Sequence, residues 1–85
     1  MKYIFVDESW EDYLYWQKND KKILKRINEI LKNISRTPFS GIGKPEPLKY
    51  KYKGFWSRRI DREHRLIYQV KDDEIRITKC QHHYD

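Results

Sequence analysis

With Cys80 as its one cysteine, the chain has no internal disulfide available. Eighty-five residues must therefore hold together through their core alone. Metal-ligand patterns are equally scarce. His64, His82 and His83 are the three histidines, and they form neither a C-x-x-C nor an H-x-x-x-H pair, which argues against a structural zinc. No apolar run nears the roughly 20 residues of a membrane helix. The opening Met1-Lys2-Tyr3-Ile4-Phe5-Val6-Asp7 meets charge too early for a signal peptide. These absences predict a single cytoplasmic domain over residues 1–85, with no metal, no cofactor and no membrane contact.

What is present is aromatic and basic. Three Trp, seven Tyr and three Phe supply large buried areas for so short a chain. The net charge of +6 and a pI near 9.5 favour polyanionic partners, phosphate backbones first among them.

The pattern along the chain predicts an α+β fold, two N-terminal helices packed on one face of a small, largely antiparallel sheet. Residues Lys2 to Val6 read as an opening strand. Ser9 is expected to cap a first helix, with Asp12 completing an S-x-x-D capping box and Trp10, Tyr13 and Leu14 on one face. Asn19-Asp20 breaks that helix and offers a cap for the next. Ile23, Leu24, Ile27, Ile30, Leu31 and Ile34 then form one continuous apolar stripe at helical spacing. The charges opposite them, Lys22, Lys25, Arg26, Glu29 and Lys32, read as a solvated face.

All three prolines and two of the three glycines fall between Ser35 and Pro47, which marks a stiffened loop. Strands are expected at Leu48 to Tyr52, Gly54 to Ile60, Arg65 to Val70 and Glu74 to Tyr84, with turns at Asp61-Arg62-Glu63 and Lys71-Asp72-Asp73.

Once helices cover one face of the sheet, the other is left for function. Lys49, Lys51, Arg58, Arg59, Arg65 and His83 lie on or beside strands there, interleaved with Tyr50, Phe55, Trp56 and Tyr84. Cations for phosphates and aromatics for stacked bases are what single-stranded RNA binding needs. For Phe55 and Trp56, packing in the core is an equally good reading.

Cleaving RNA without metal needs a base for the 2′-hydroxyl, cations for the phosphorane and an acid for the departing 5′-oxygen. Glu46, held in K-P-E-P-L-K, is the candidate base. Arg65 and Arg59 are candidate phosphate clamps, because guanidinium stays charged and matches two phosphate oxygens. His83 is the candidate acid. Strict alternation gives His83 the parity of Ile75 and Ile77, so a bulge or a strand end has to free it.

The stretches E-S-W-E-D-Y-L-Y-W-Q (Glu8 to Gln17), R-T-P-F-S-G-I-G-K-P-E-P-L-K (Arg36 to Lys49), G-F-W-S-R-R-I (Gly54 to Ile60), E-H-R-L-I-Y (Glu63 to Tyr68) and H-Y (His83-Tyr84) closely resemble the YoeB toxins of the RelE superfamily. The resemblance spans essentially the whole chain. It implies a toxin of a type II toxin–antitoxin system, a ribosome-dependent endoribonuclease that cuts mRNA in the A site. It implies a catalytic set at Glu46, Arg65, His83 and Tyr84, with Lys49 and Arg59 supporting the phosphate. It also implies homodimerisation, neutralisation by a YefM-like antitoxin, and operator DNA bound through the toxin–antitoxin complex. The chain departs from the pattern at its end, where His82 places a second histidine beside the expected acid and Asp85 adds negative charge. Two other readings remain at this stage: a gyrase-poisoning relative, which the joint presence of Glu46, Arg65 and His83 argues against, and a catalytically inactive nucleic-acid- or antitoxin-binding module.

Overall fold

The computed structural model describes residues 1–82. In chain order the elements are β1 (Lys2–Phe5), α1 (Ser9–Asn19), α2 (Lys21–Arg36), β2 (Glu46–Pro47), a 3-10 turn (Tyr50–Tyr52), β3 (Trp56–Arg59), β4 (Arg65–Lys71) and β5 (Glu74–Lys79). The sheet runs β1-β5-β4-β3-β2. Every pairing is antiparallel except β1 with β5, which are separated by both helices and three strands and run parallel.

The apolar stripe of α2 is the centre of the core. Ile27, Ile30 and Ile34 have no exposed surface, and they pack with Trp16, Leu66, Tyr68, Ile75 and Ile77. Asp20 starts this helix as expected, its Oδ1 accepting from the amides of Lys22 and Ile23 at 3.1 and 3.2 Å.

The first helix begins differently. Its N-cap is Glu8, with no side-chain cap, and Ser9 is its first residue, fully buried. Ser9 Oγ donates backward to the Val6 carbonyl at 2.7 Å. Asp12 instead accepts from the Cys80 amide at 3.1 Å. The capping box is thus replaced by a local bond from Ser9 and a tertiary one to Asp12, and Glu11 and Asp12 favour the helix start only through their charge.

One expected strand is absent, and β3 and β5 are shorter than their patterns among the described residues. Leu48 to Tyr52 is not a strand. The Leu48 amide bonds to the Phe55 carbonyl at 2.9 Å, so the reversal from β2 to β3 must fit within residues 49–54. Tyr50, at φ +57°, turns outward there and is 91% exposed. The last strand stops at Lys79 because α1 captures the next residue: the Cys80 amide donates to Asp12, and the Cys80 carbonyl accepts from Trp16 Nε1 at 2.8 Å. Between β4 and β5, Asp72 and Asp73 both take positive φ, as a two-residue hairpin requires.

Arg58 overturns its expected place on the open face. It pairs with Leu66 on the helix side of β3 and has no exposed surface. Its guanidinium donates to Tyr68 Oη, Asn33 Oδ1 and the carbonyls of Ile42, Thr37 and Ser40. It fastens the proline-rich loop to the core. Trp56 shares that side, packing on Phe39 with ring centroids 4.8 Å apart. The loop closes tightly over Asn33: Gly41 has φ +118°, and a Cβ there would lie 2.0 Å from Asn33 Oδ1, so a larger residue would be strained and would have to displace that side chain.

Candidate functional site

The open face of the sheet is organised in rows. Glu46 pairs with Ser57, Ser57 with Ile67 and Ile67 with Lys79, so these four residues cross the sheet side by side. The next row on the same face is Arg59 opposite Arg65. Two residues along a strand span roughly 6.5–7 Å. A carboxylate and two guanidinium groups are therefore presented together, on paired strands rather than on free loops.

Ile67 is buried although it faces away from the helices. It floors a depression of about 490 Å³ whose walls include Tyr52, Thr78 and Lys79, with Asp7 and Glu8 at the rim. The depression adjoins the Glu46 row through Ile67 and Lys79.

Each expected site residue has a definite place or falls outside the described chain. Glu46 is exposed on β2, its Oε1 4.0 Å from Lys44 Nζ. The loop behind it is tied to β3 by the Arg59 amide, which donates to the Gly43 carbonyl at 2.6 Å. Arg59 is exposed. Arg65 is half-buried, and its Nη1 donates to the carbonyls of Asp61 at 2.9 Å and His64 at 3.1 Å. The head of Arg65 is thus braced by its own loop through Nη1.

Lys49, Tyr50 and Lys51 occupy the turn after β2 and are exposed. Lys51 sits over the Tyr52 ring, 5.3 Å from its centroid, which spends part of its charge on a local contact. Register brings Glu46, Arg59 and Arg65 together, whereas the turn residues belong to the rim. His83 and Tyr84, with Asp85, lie outside the described residues.

His64 and Glu63 carry contacts that sequence spacing could not reveal. His64 is buried, edge-on to Trp16 at 4.7 Å, and its Nδ1 accepts from the His82 amide at 2.7 Å. Glu63 Oε1 lies 3.9 Å from His64 Nε2, and Glu63 Oε2 lies 3.9 Å from His82 Nδ1. One donor atom from each of the three lies within 4.8 Å of the others, although their sequence positions show no ligand motif. A metal at His64 Nε2 would need the ring proton moved to Nδ1, against the His82 N–H. The tautomer that makes this hydrogen bond is therefore the wrong one for a ligand.

Burial shifts the titration of two groups nearby. It raises the Asp12 carboxyl above its ordinary value despite the Cys80 amide, and it pushes the Cys80 thiol up to about 12. Cys80 is consequently a packed thiol and not a nucleophile.

A family model described as the YoeB-like toxin of bacterial type II toxin–antitoxin systems matches residues 5–84. The chain belongs to the YoeB-like toxin family. It is 62% identical over 84 residues to toxin YoeB of Escherichia coli O6:H1 (strain CFT073), covering 99% of this chain and 100% of the relative. Among solved structures, a YoeB–YefM complex from Staphylococcus aureus superposes with a TM-score of 0.92 at 49% identity. The YoeB dimer from the same organism gives 0.92 at 50%. Both cover 99% of this chain and 98% of the matched one. The two-helix, five-strand arrangement is that of YoeB toxins, and the chain is a toxin of a type II toxin–antitoxin system.

Proposed function

We propose that this YoeB-family chain, acting as one domain over residues 1–85 in the cytoplasm, is an endoribonuclease that cuts mRNA in the ribosomal A site without a catalytic metal. The observation that carries this reading is the pairing register of β2, β3 and β4. It sets Glu46 one row from the Arg59–Arg65 pair on the open face.

Glu46 takes the proton of a 2′-hydroxyl, whose oxygen attacks the adjacent phosphorus. Charge that builds on the non-bridging oxygens is met by Arg65, with Arg59 and Lys49 beside it. His83 protonates the 5′-oxygen as the P–O5′ bond breaks, leaving a 2′,3′-cyclic phosphate and a 5′-hydroxyl, and Tyr84 supports that end of the site. Tyr50 and Lys51, on the exposed turn, contact flanking nucleotides by stacking and by long-range charge.

The basic surface also suits an acidic, YefM-like antitoxin segment that orders on binding. The S. aureus complex supports such a partner, and the S. aureus dimer supports a homodimer. Operator DNA would be reached through the antitoxin complex.

Primer extension on translated mRNA after induction tests the nuclease reading. The wild type should create new 5′ ends within the reading frame, and Glu46→Gln and Arg65→Ala should not. Growth arrest without new ends would overturn it, and inhibited DNA supercoiling in those cells would move the activity to gyrase.

A further inference from the structure

Between β5 and the end of the described chain, the backbone is held at both Cys80 and His82. Both polar groups of Cys80 are taken by α1: Asp12 accepts from its amide and Trp16 Nε1 donates to its carbonyl. Both polar groups of His82 are taken by the start of β4. The Arg65 amide donates to the His82 carbonyl at 3.0 Å, and the His82 amide donates to His64 Nδ1 at 2.7 Å. Three of the four partners are side chains. No continuous ladder holds this segment, so those side chains fix where it lies.

We propose that His64 is a positioning residue, whose unprotonated Nδ1 fastens the His82 amide and so fixes the chain one peptide bond before His83. The inference rests on reading His83 as the acid. Three observations support it. The His64 ring is buried against Trp16, so it cannot swing away to water. Glu63 stands beside Nε2 and favours the tautomer with its proton there, which leaves Nδ1 as the acceptor. The backbone amide of Arg65, next to His64 in the chain, donates to the His82 carbonyl, which belongs to the following peptide unit. Base, clamp and acid must be aligned to a fraction of an ångström, and an error of about 1 Å can cost on the order of a hundredfold in rate.

Two readouts separate this role from mere packing. In His64→Asn the amide oxygen stands near the place of Nδ1 and can still accept. In His64→Gln it reaches toward Nε2, and His64→Phe keeps the contact with Trp16 but has no acceptor. Amide hydrogen exchange of His82, followed by NMR, should show protection in the wild type and His64→Asn and its loss in His64→Gln and His64→Phe. Ribosome-dependent cleavage should lose roughly tenfold to a hundredfold in kcat in the latter two, with KM little changed. His64→Asn should restore most of it.

Thermal melts of all variants correct each rate for the folded fraction. Equal protection of His82 in every variant, or rates that follow only the folded fraction, would overturn the proposal. The exchange readout does not need catalysis. If the wild type makes no cut, the nuclease reading fails while the His64–His82 contact is still judged by exchange.

Discussion

Arg58 and Arg59 are chain neighbours on one strand with opposite fates. Arg58 faces the helices and is wholly buried, with its guanidinium shared among Asn33, Tyr68 and three loop carbonyls. Arg59 faces away and stands exposed beside Arg65. A carboxylate near a buried guanidinium would be the expected partner, yet every acceptor Arg58 meets is neutral. The difference teaches that charge in this chain has two uses. One cation holds a loop in shape, and its neighbour stands exposed on the open face, where the proposed function has it meet a phosphate.

The largest effect should come from breaking the inner member. Arg58→Ala strips the Thr37, Ser40 and Ile42 carbonyls of their donor and leaves a cavity beside Tyr68. Orphaned acceptors cost about 1–3 kcal/mol each when they stay dry, and these lie in a loop that water can partly reach. We expect about 3 kcal/mol of lost stability in urea denaturation, with faster amide exchange across residues 37–43. Arg58→Lys should recover little, because one ammonium cannot reproduce the fork. A loss under about 1 kcal/mol would mean that the loop is held by its prolines instead.

The outer member is tested by activity at constant stability. Arg65→Ala should lower cleavage by about a hundredfold, the scale of removing one preorganised donor to developing charge. Arg59→Ala, more exposed and unbraced, should cost about tenfold. Denaturation midpoints should barely move for Arg59→Ala and should shift only slightly for Arg65→Ala, which loses bonds to loop carbonyls but nothing from the core. If Arg59→Ala proves as damaging to stability as Arg58→Ala, the two faces of β3 are not distinct in the way the register indicates.

Much of this division was legible beforehand, and the failures have particular causes. The stripe from Ile23 to Ile34 announced α2 because a helix repeats one side chain environment many times. Alternation in β4 likewise put Leu66 and Tyr68 inward. The same alternation gives Arg58 the parity of Trp56 and Ile60, so the signal for its burial existed. It was outweighed by the expectation that arginine stays outside without an acidic partner. Glu46, Arg59 and Arg65 were candidates by residue type alone, and only the register shows that they share a face. The Ser9 cap failed because Asp12 is claimed by Cys80, 68 positions away, which no local pattern encodes. His64 went unread for the same reason, since its partner His82 is 18 positions on.

A smaller effect probes the rim. Lys51 adds one exposed charge that already rests on Tyr52, and exposed charges are screened within about 8 Å at physiological salt. Lys51→Ala should change cleavage by no more than about threefold, with most of that change vanishing as salt is raised. A loss matching that of Arg65→Ala would extend the catalytic centre from the strand row onto the turn.

The smallest effect concerns Asp12, which joins α1 to the end of β5. Burial raises its pKa in the folded protein above the ordinary 3.8, the largest influence on it, while the Cys80 amide pulls the other way. A carboxyl whose folded pKa is raised favours folding most when protonated. Its contribution is therefore fully present below about 3.8 and is lost as pH rises through the folded value. Asp12→Asn keeps an oxygen for the Cys80 amide but does not titrate. The stability of the wild type relative to this variant should thus fall as pH rises from 4 toward neutrality, by a modest amount because the group is partly solvated. Parallel urea titrations of the two proteins across that range read the difference directly. The opposite slope would mean that ionised Asp12 gains more from the Cys80 amide and the nearby His82 and Lys79 than burial costs it. The junction below the site would then depend on that charge, as the Arg58 loop depends on a guanidinium.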